Sequence, residues 1–180
     1  MPNKTIKTMS WHPDLQAMNP ALVPAAFQAT TEPSIVGMWH VVFTANTQDG
    51  VKIPGGAVID NAVSVWHSDG TEIMNSDRAA QDGNFCLGVW KQTGAMKYKL
   101  NHIPWQGNVA DPTAPAGTIG PPEGGAQIIE NITLSPTGNY FYGSFTLTAY
   151  DTQGNVTITF AGALSGSRIT TETPFRNLMQ

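Results

Sequence analysis

The sequence predicts an all-β domain: a single eight-stranded antiparallel up-and-down barrel with an irregular N-terminal arm. Three observations carry this expectation. From Ser34 onward, short runs rich in Val, Ile, Thr, Phe, Tyr and Trp alternate with Gly-containing turns, the pattern of strands joined by hairpins. Charged residues make up only 12% of the 180 residues, while 18 Gly and 13 Pro favour tight turns over long exposed helices. Eight consecutive strands with no helix to cover a sheet face hide that face, and both free edges, most simply by closing the sheet on itself. A β-sandwich is the alternative architecture.

Residues 1–33 form the arm, in which Pro13, Pro20, Pro24 and Pro33 break any helix early and leave room for one short helical turn around 21–30. The barrel is expected over 34–169 and a short unpatterned tail over 170–180. Its first strand spans 35–46 (IVGMWHVVFTAN) and its second 57–67, ending at Asp69-Gly70, a strong hairpin signal. The third (71–76) and fourth (84–91) follow; Thr93-Gly94 then turns into the fifth (96–103). Residues 104–126 are too rich in Pro and Gly for a regular element, and fit either a lid reaching inward with Trp105 and Ile119 or a subunit interface. The sixth strand (127–134), the seventh (139–150) and the eighth (155–169) complete the set around turns at Gly138 and Gly154. Turn lengths then sort by end. Connections at 68–70, 92–95 and 135–138 are tight, whereas 47–56, 77–83 and 104–126 are long, so the mouth is expected at the long-loop end.

Charge and cysteine content narrow the partners. A net charge of -4 with no Lys/Arg cluster leaves no footprint for nucleic acid. No run approaches the roughly 20 apolar residues of a membrane-spanning helix, and Met1 to Gln16 lacks the apolar core of a signal peptide, so a cytoplasmic protein with no membrane partner is expected. The Asn131-Ile132-Thr133 and Asn155-Val156-Thr157 sequons then read as chance matches. Cys86 is the single cysteine, which excludes an internal disulfide and reads as a buried structural thiol. Low surface charge and the unassigned arm admit a homodimer.

Gly37-Met38-Trp39 opens the first strand and Gly166-Ser167-Arg168 ends the last. On these two motifs the chain resembles the lipocalin-like (calycin) barrels over about residues 34–169. The resemblance implies that Trp39 and Arg168 form the floor, with the guanidinium over the indole. The outline is also similar to allene oxide cyclase-like barrels, which are intracellular and catalytic. The chain departs from secreted lipocalins in lacking a signal peptide, disulfides and a helix after the barrel.

Period-2 alternation selects the lumen side chains. Met96, Tyr98, Leu100 and His102 share one face of the fifth strand; Ile128, Glu130, Ile132 and Leu134 share one face of the sixth. Phe141, Gly143, Phe145, Leu147 and Ala149 face inward on the seventh, and Val156, Ile158, Phe160, Gly162 and Leu164 on the eighth, with Trp39, Val41 and Phe43 on the first. The second and fourth strands are apolar on both faces and leave Trp66 and Trp90 unassigned. His102 and Glu130 bracket the long loop and are expected to meet at the mouth.

Two functions follow from that lumen. In the first, a small apolar or aromatic molecule is bound by Tyr98, Leu100, Phe145 and Leu147, with His102 and Glu130 as polar anchors. In the second, the same cavity hosts a cofactor-free isomerase, cyclase or lyase using His102 and Glu130 as an acid-base pair. A packed barrel acting through its surface is a third reading. His67 and Glu72 are expected to form a cross-strand pair at the closed end, and His40 to lie on the outer surface. His12 belongs to the arm. His40, His67 and His102 fall on different faces, so no metal site is expected, and no cofactor motif is present.

Overall fold

The computed structural model describes residues 33–80, 83–107 and 122–179. The arm, His12, Ile119 and the middle of the 104–126 segment lie outside the described residues. Eight strands follow in order: β1 (Gly37–Gln48), β2 (Val51–Trp66), β3 (Thr71–Ser76), β4 (Phe85–Gly94), β5 (Lys97–Gly107), β6 (Pro122–Leu134), β7 (Tyr140–Asp151) and β8 (Val156–Arg168). Each pairs antiparallel with the next, and β8 returns to β1, closing the barrel. Each strand thereby has a neighbour on both sides, although the short β3 pairs only with Ala62–Trp66 of β2, and the sandwich alternative falls away.

Several strands run further than the sequence suggests. Residues 47–56 are not an open loop: Asp49 and Gly50 both take positive φ (49° and 78°), the backbone of a two-residue hairpin turn, and β2 begins immediately after it. The Pro and Gly at 54–56 are absorbed as a register shift between Ala45 and Thr47 of β1. Likewise β5 continues through Pro104 and Trp105 to Gly107, and β6 starts before Gly124. Trp105 therefore points outward, 79% exposed, rather than into the lumen. Val156 is also exposed, because a register shift beside Tyr150 takes it out of phase with Ile158.

The lower barrel is filled by aromatic rings. Trp39 and Trp66 are fully buried, and Phe141 packs at a tilt against Trp39, ring centroids 4.9 Å apart. Trp66, Trp90 and Tyr98 form a second cluster, with centroids 5.6 to 6.4 Å apart. Burying one large apolar side chain of this kind contributes about 1.5–3 kcal/mol. Arg168 lies over Trp39 at 4.2 Å and donates to the carbonyls of Gly138, Val36 and Ser34. Trp39 Nε1 donates to the Ile35 carbonyl, fastening the chain below β1. Near the upper ends, Ala45, Ala126 and Ala149 present only short side chains inward.

The apolar residues on both faces of β4 now have places. Cys86, Gly88 and Trp90 turn inward, while Phe85, Leu87 and Val89 stay exposed on the outside beside Ile103. The tail is not wholly unpatterned, since Phe175–Leu178 form a 3-10 helix. Among the described residues no helix is long and apolar enough to cross a membrane.

Candidate functional site

Strand pairing brings three ionisable side chains together. Alternation along the short β3 turns Glu72, Met74 and Ser76 inward. Glu72 pairs with Gly88 of β4, and Gly88 in turn with His102 of β5. Because Gly88 has no side chain, Glu72 and His102 meet across it. A Cβ there would stand 2.6 Å from Glu72 Oε2 and 2.8 Å from His102 Cβ. Glu130 arrives from β6, paired with Leu100 and so diagonal to His102.

The result is an imidazole between two carboxylates. Glu72 Oε2 lies 3.4 Å from His102 Nδ1, and Glu130 Oε1 lies 3.6 Å from His102 Nε2. Ser64 Oγ donates to the other oxygen of Glu72 at 2.5 Å and fixes its orientation. All four side chains are buried, His102 completely. Phe43 stands 6.5 Å from the His102 ring and 5.2 Å from Phe145, so aromatic rings wall one side. Among the described residues, the buried side-chain polar atoms left without a hydrogen bond are Glu72 Oε2 and both ring nitrogens of His102. These atoms face one another or Glu130 at 3.4 and 3.6 Å, outside hydrogen-bond geometry, and this loosely satisfied buried cluster is the candidate site.

The electrostatics follow from burial and proximity. Desolvation pushes the Glu130 carboxyl up to about 7; the His102 charge opposes this and the Glu72 carboxylate reinforces it. For His102, burial alone would lower the pKa, but the carboxylates of Glu72, Glu130 and Asp60 outweigh it and raise it above the ordinary value. Asp60 is raised chiefly by burial, with the Ser76 hydroxyl donating to it and Arg78 nearby, both acting the other way. The Cys86 thiol is pushed up to about 12 by burial and by Glu72, Asp60 and Glu130. The lumen thus holds more acid than base.

His102 and Glu130 do come together, but in mid-lumen rather than at the mouth, because β5 and β6 extend well beyond them. Leu100 and Phe145 pair with Glu130 on either side. Leu147 packs one step higher, opposite Phe160, while Tyr98 belongs to the aromatic floor. The expected His67–Glu72 pair does not form: Trp66, not His67, is the partner of Glu72, and His67 Nδ1 contacts Thr71 Oγ1 instead. His40 does face outward, yet it is only 9% exposed: it is hydrogen-bonded to Asn61, whose amide donates to Leu178 of the tail. No group of three or more His, Cys, Asp and Glu among the described residues is placed to hold a metal ion.

Sequence reasoning missed Glu72, Ser64 and Gly88 as members of the site. The available signal was Gly88 itself, a glycine inside an otherwise bulky strand, which often marks a close approach of neighbours. No family model matches the chain, and neither the curated proteins nor the solved structures contain a match to it.

Proposed function

We propose that the chain is a lipocalin-like binding protein whose lumen takes one small apolar or aromatic molecule. The polar end of that molecule sits at His102 between Glu72 and Glu130. The observation that carries this reading is the buried Glu72–His102–Glu130 cluster among apolar walls, whose ion pairs at 3.4 and 3.6 Å fall short of hydrogen-bond geometry and leave polar atoms that a ligand's polar group could meet. Leu100, Phe145 and Leu147 are buried and supply the walls, and eight-stranded barrels are a size that can hold one small ligand. The Trp39–Arg168 stack supports the lipocalin-like reading of the floor. Native mass spectrometry of freshly purified protein, read against the denatured mass, tests the proposal. A noncovalent increment of one small molecule per chain is expected. An unliganded mass, together with His102 ring resonances that no apolar probe shifts, would overturn it.

One observation favours a second, catalytic reading. Burial pushes Glu130 up to about 7, and it lies 3.6 Å from His102 Nε2, an imidazole itself raised above its ordinary value, so the two groups are placed to exchange a proton. In that reading the His102–Glu130 pair shuttles a proton in a cofactor-free isomerisation, cyclisation or hydration-type reaction, and Glu72 orients the ring as a positioning residue. His102→Ala separates the two. It weakens affinity moderately if the site only binds, and abolishes turnover with binding largely kept if the site catalyses.

A further inference from the structure

We propose that the lumen selects molecules whose polar end donates hydrogen bonds or carries positive charge, such as an amine or an alcohol, and rejects carboxylates such as fatty acids. The inference rests on the binding reading above and narrows its ligand class. Its basis is the count and placement of charges inside the barrel.

Three carboxyl groups face inward, Glu72 and Glu130 on either side of His102 and Asp60 higher on β2, in phase with Ala62 and Ser64. The imidazole is the single basic group among them. Arg78 acts on Asp60 at the upper end, and Arg168 is committed to backbone carbonyls beneath the floor, on the far side of Trp39. Even a charged imidazolium is thus a single basic group set among three inward carboxyl groups. The Cys86 thiol reports the same field, held far from ionisation in part by Glu72, Asp60 and Glu130.

A ligand carboxylate would bring one more anion into a low-dielectric space already crowded with them, and like charges there cost several-fold more than in water. An ammonium or hydroxyl does the reverse. It donates to carboxyl oxygens whose one basic neighbour is His102, at 3.4 Å from Glu72 and 3.6 Å from Glu130.

Octylamine, 1-octanol and octanoate share one apolar chain and differ in the head group, so they test the head group alone. Binding is read at pH 7.5 from the His102 ring resonances of the full-length protein. The proposal expects octylamine to bind at least 10-fold tighter than octanoate, with octanol between. Glu72→Gln and Glu130→Gln should bring the ratio toward parity, while Glu172→Gln, an exposed tail substitution, leaves it unchanged. Should a Gln variant fail to fold, the wild-type ratio measured at 20 mM and 500 mM salt replaces it, because a buried preference survives screening that removes a surface one. Octanoate binding as tightly as octylamine, or a ratio that follows Glu172→Gln or collapses at high salt, overturns the proposal alone. Failure of all three probes to shift His102 overturns the binding reading and this inference with it.

Discussion

Replacing Gly88 with Ala places a methyl group where the Glu72–His102 contact now passes. The new Cβ would lie 2.6 Å from Glu72 Oε2, 2.8 Å from His102 Cβ and 2.9 Å from Leu100 Cδ1, all well inside van der Waals contact. Overpacking of a filled core costs about 1–3 kcal/mol, and the gain from stiffening the unfolded chain returns about 0.4–1 kcal/mol. A net loss of about 1–2 kcal/mol corresponds to a Tm lowered by about 2–8 °C in a chain of this size. Thermal unfolding followed by circular dichroism measures it. The His102 ring resonances should also move, because the imidazole and Glu72 must part to admit the methyl. Gly94→Ala is the control: its nearest neighbour would be 3.8 Å away, so its Tm should stay within about 2 °C of wild type. A Gly88→Ala variant with an unchanged Tm and unchanged His102 resonances would refute the argument that this glycine makes the site.

Other expectations follow from the same coordinates. Glu130 in the folded barrel is raised from 4.5 to about 7, so its contribution to stability is complete below about 4.5 and is lost as pH climbs through about 7; His102, raised above its ordinary 6.5, adds a loss of the same sign as pH rises past 6.5. The urea midpoint should therefore fall between pH 5 and pH 8, and Glu130→Gln should flatten that fall; a midpoint that rises over the range contradicts the assignment. Arg168→Lys gives up most of a three-carbonyl clasp and the stack on Trp39, a loss of about 1–3 kcal/mol by chemical denaturation, with the His102 resonances unmoved. Cys86, buried and pushed up to about 12, should resist iodoacetamide at pH 8 in the native protein and react promptly in urea; rapid native labelling would show that the lumen is open to reagents.

The strand count, the hairpin order and the inward placement of His102 and Glu130 were legible because they rest on local patterns: alternation and Gly-containing turns. What joins Glu72 to them is not local. It depends on the register of β3 against β4 and of β4 against β5, which one-residue slips would reverse and which no spacing within a single strand encodes. The sequence TEIMNS alternates Thr71, Ile73 and Asn75 with Glu72, Met74 and Ser76, and neither face is clearly apolar. Closeness to the Asp69-Gly70 turn suggested His67 as the partner of Glu72, yet the ladder sets Glu72 against Trp66. Strand ends were misjudged for a different reason. Pro104 and the glycines at 55–56 read as breakers, but the ladder runs through Pro104 in register with Cys86 and carries the glycines by a register shift and by φ values that glycine adopts freely.

The seam of the barrel sets an order of events. Arg168 clasps Ser34, a residue 134 positions earlier, and the same strand completes the hydrogen bonds of β1. During synthesis at about 5–20 residues per second, β1 waits on the order of 10 s for its last neighbour. Throughout that interval its free edge, and the Trp39 ring beside it, face whatever else is in solution. Edge protection is thus a property of the finished ring and not of the growing chain. A ribosome that stalls before β8 releases a product with two sticky margins and no floor, which makes the final strand, rather than the lumen chemistry, the point at which this protein becomes safe from aggregation.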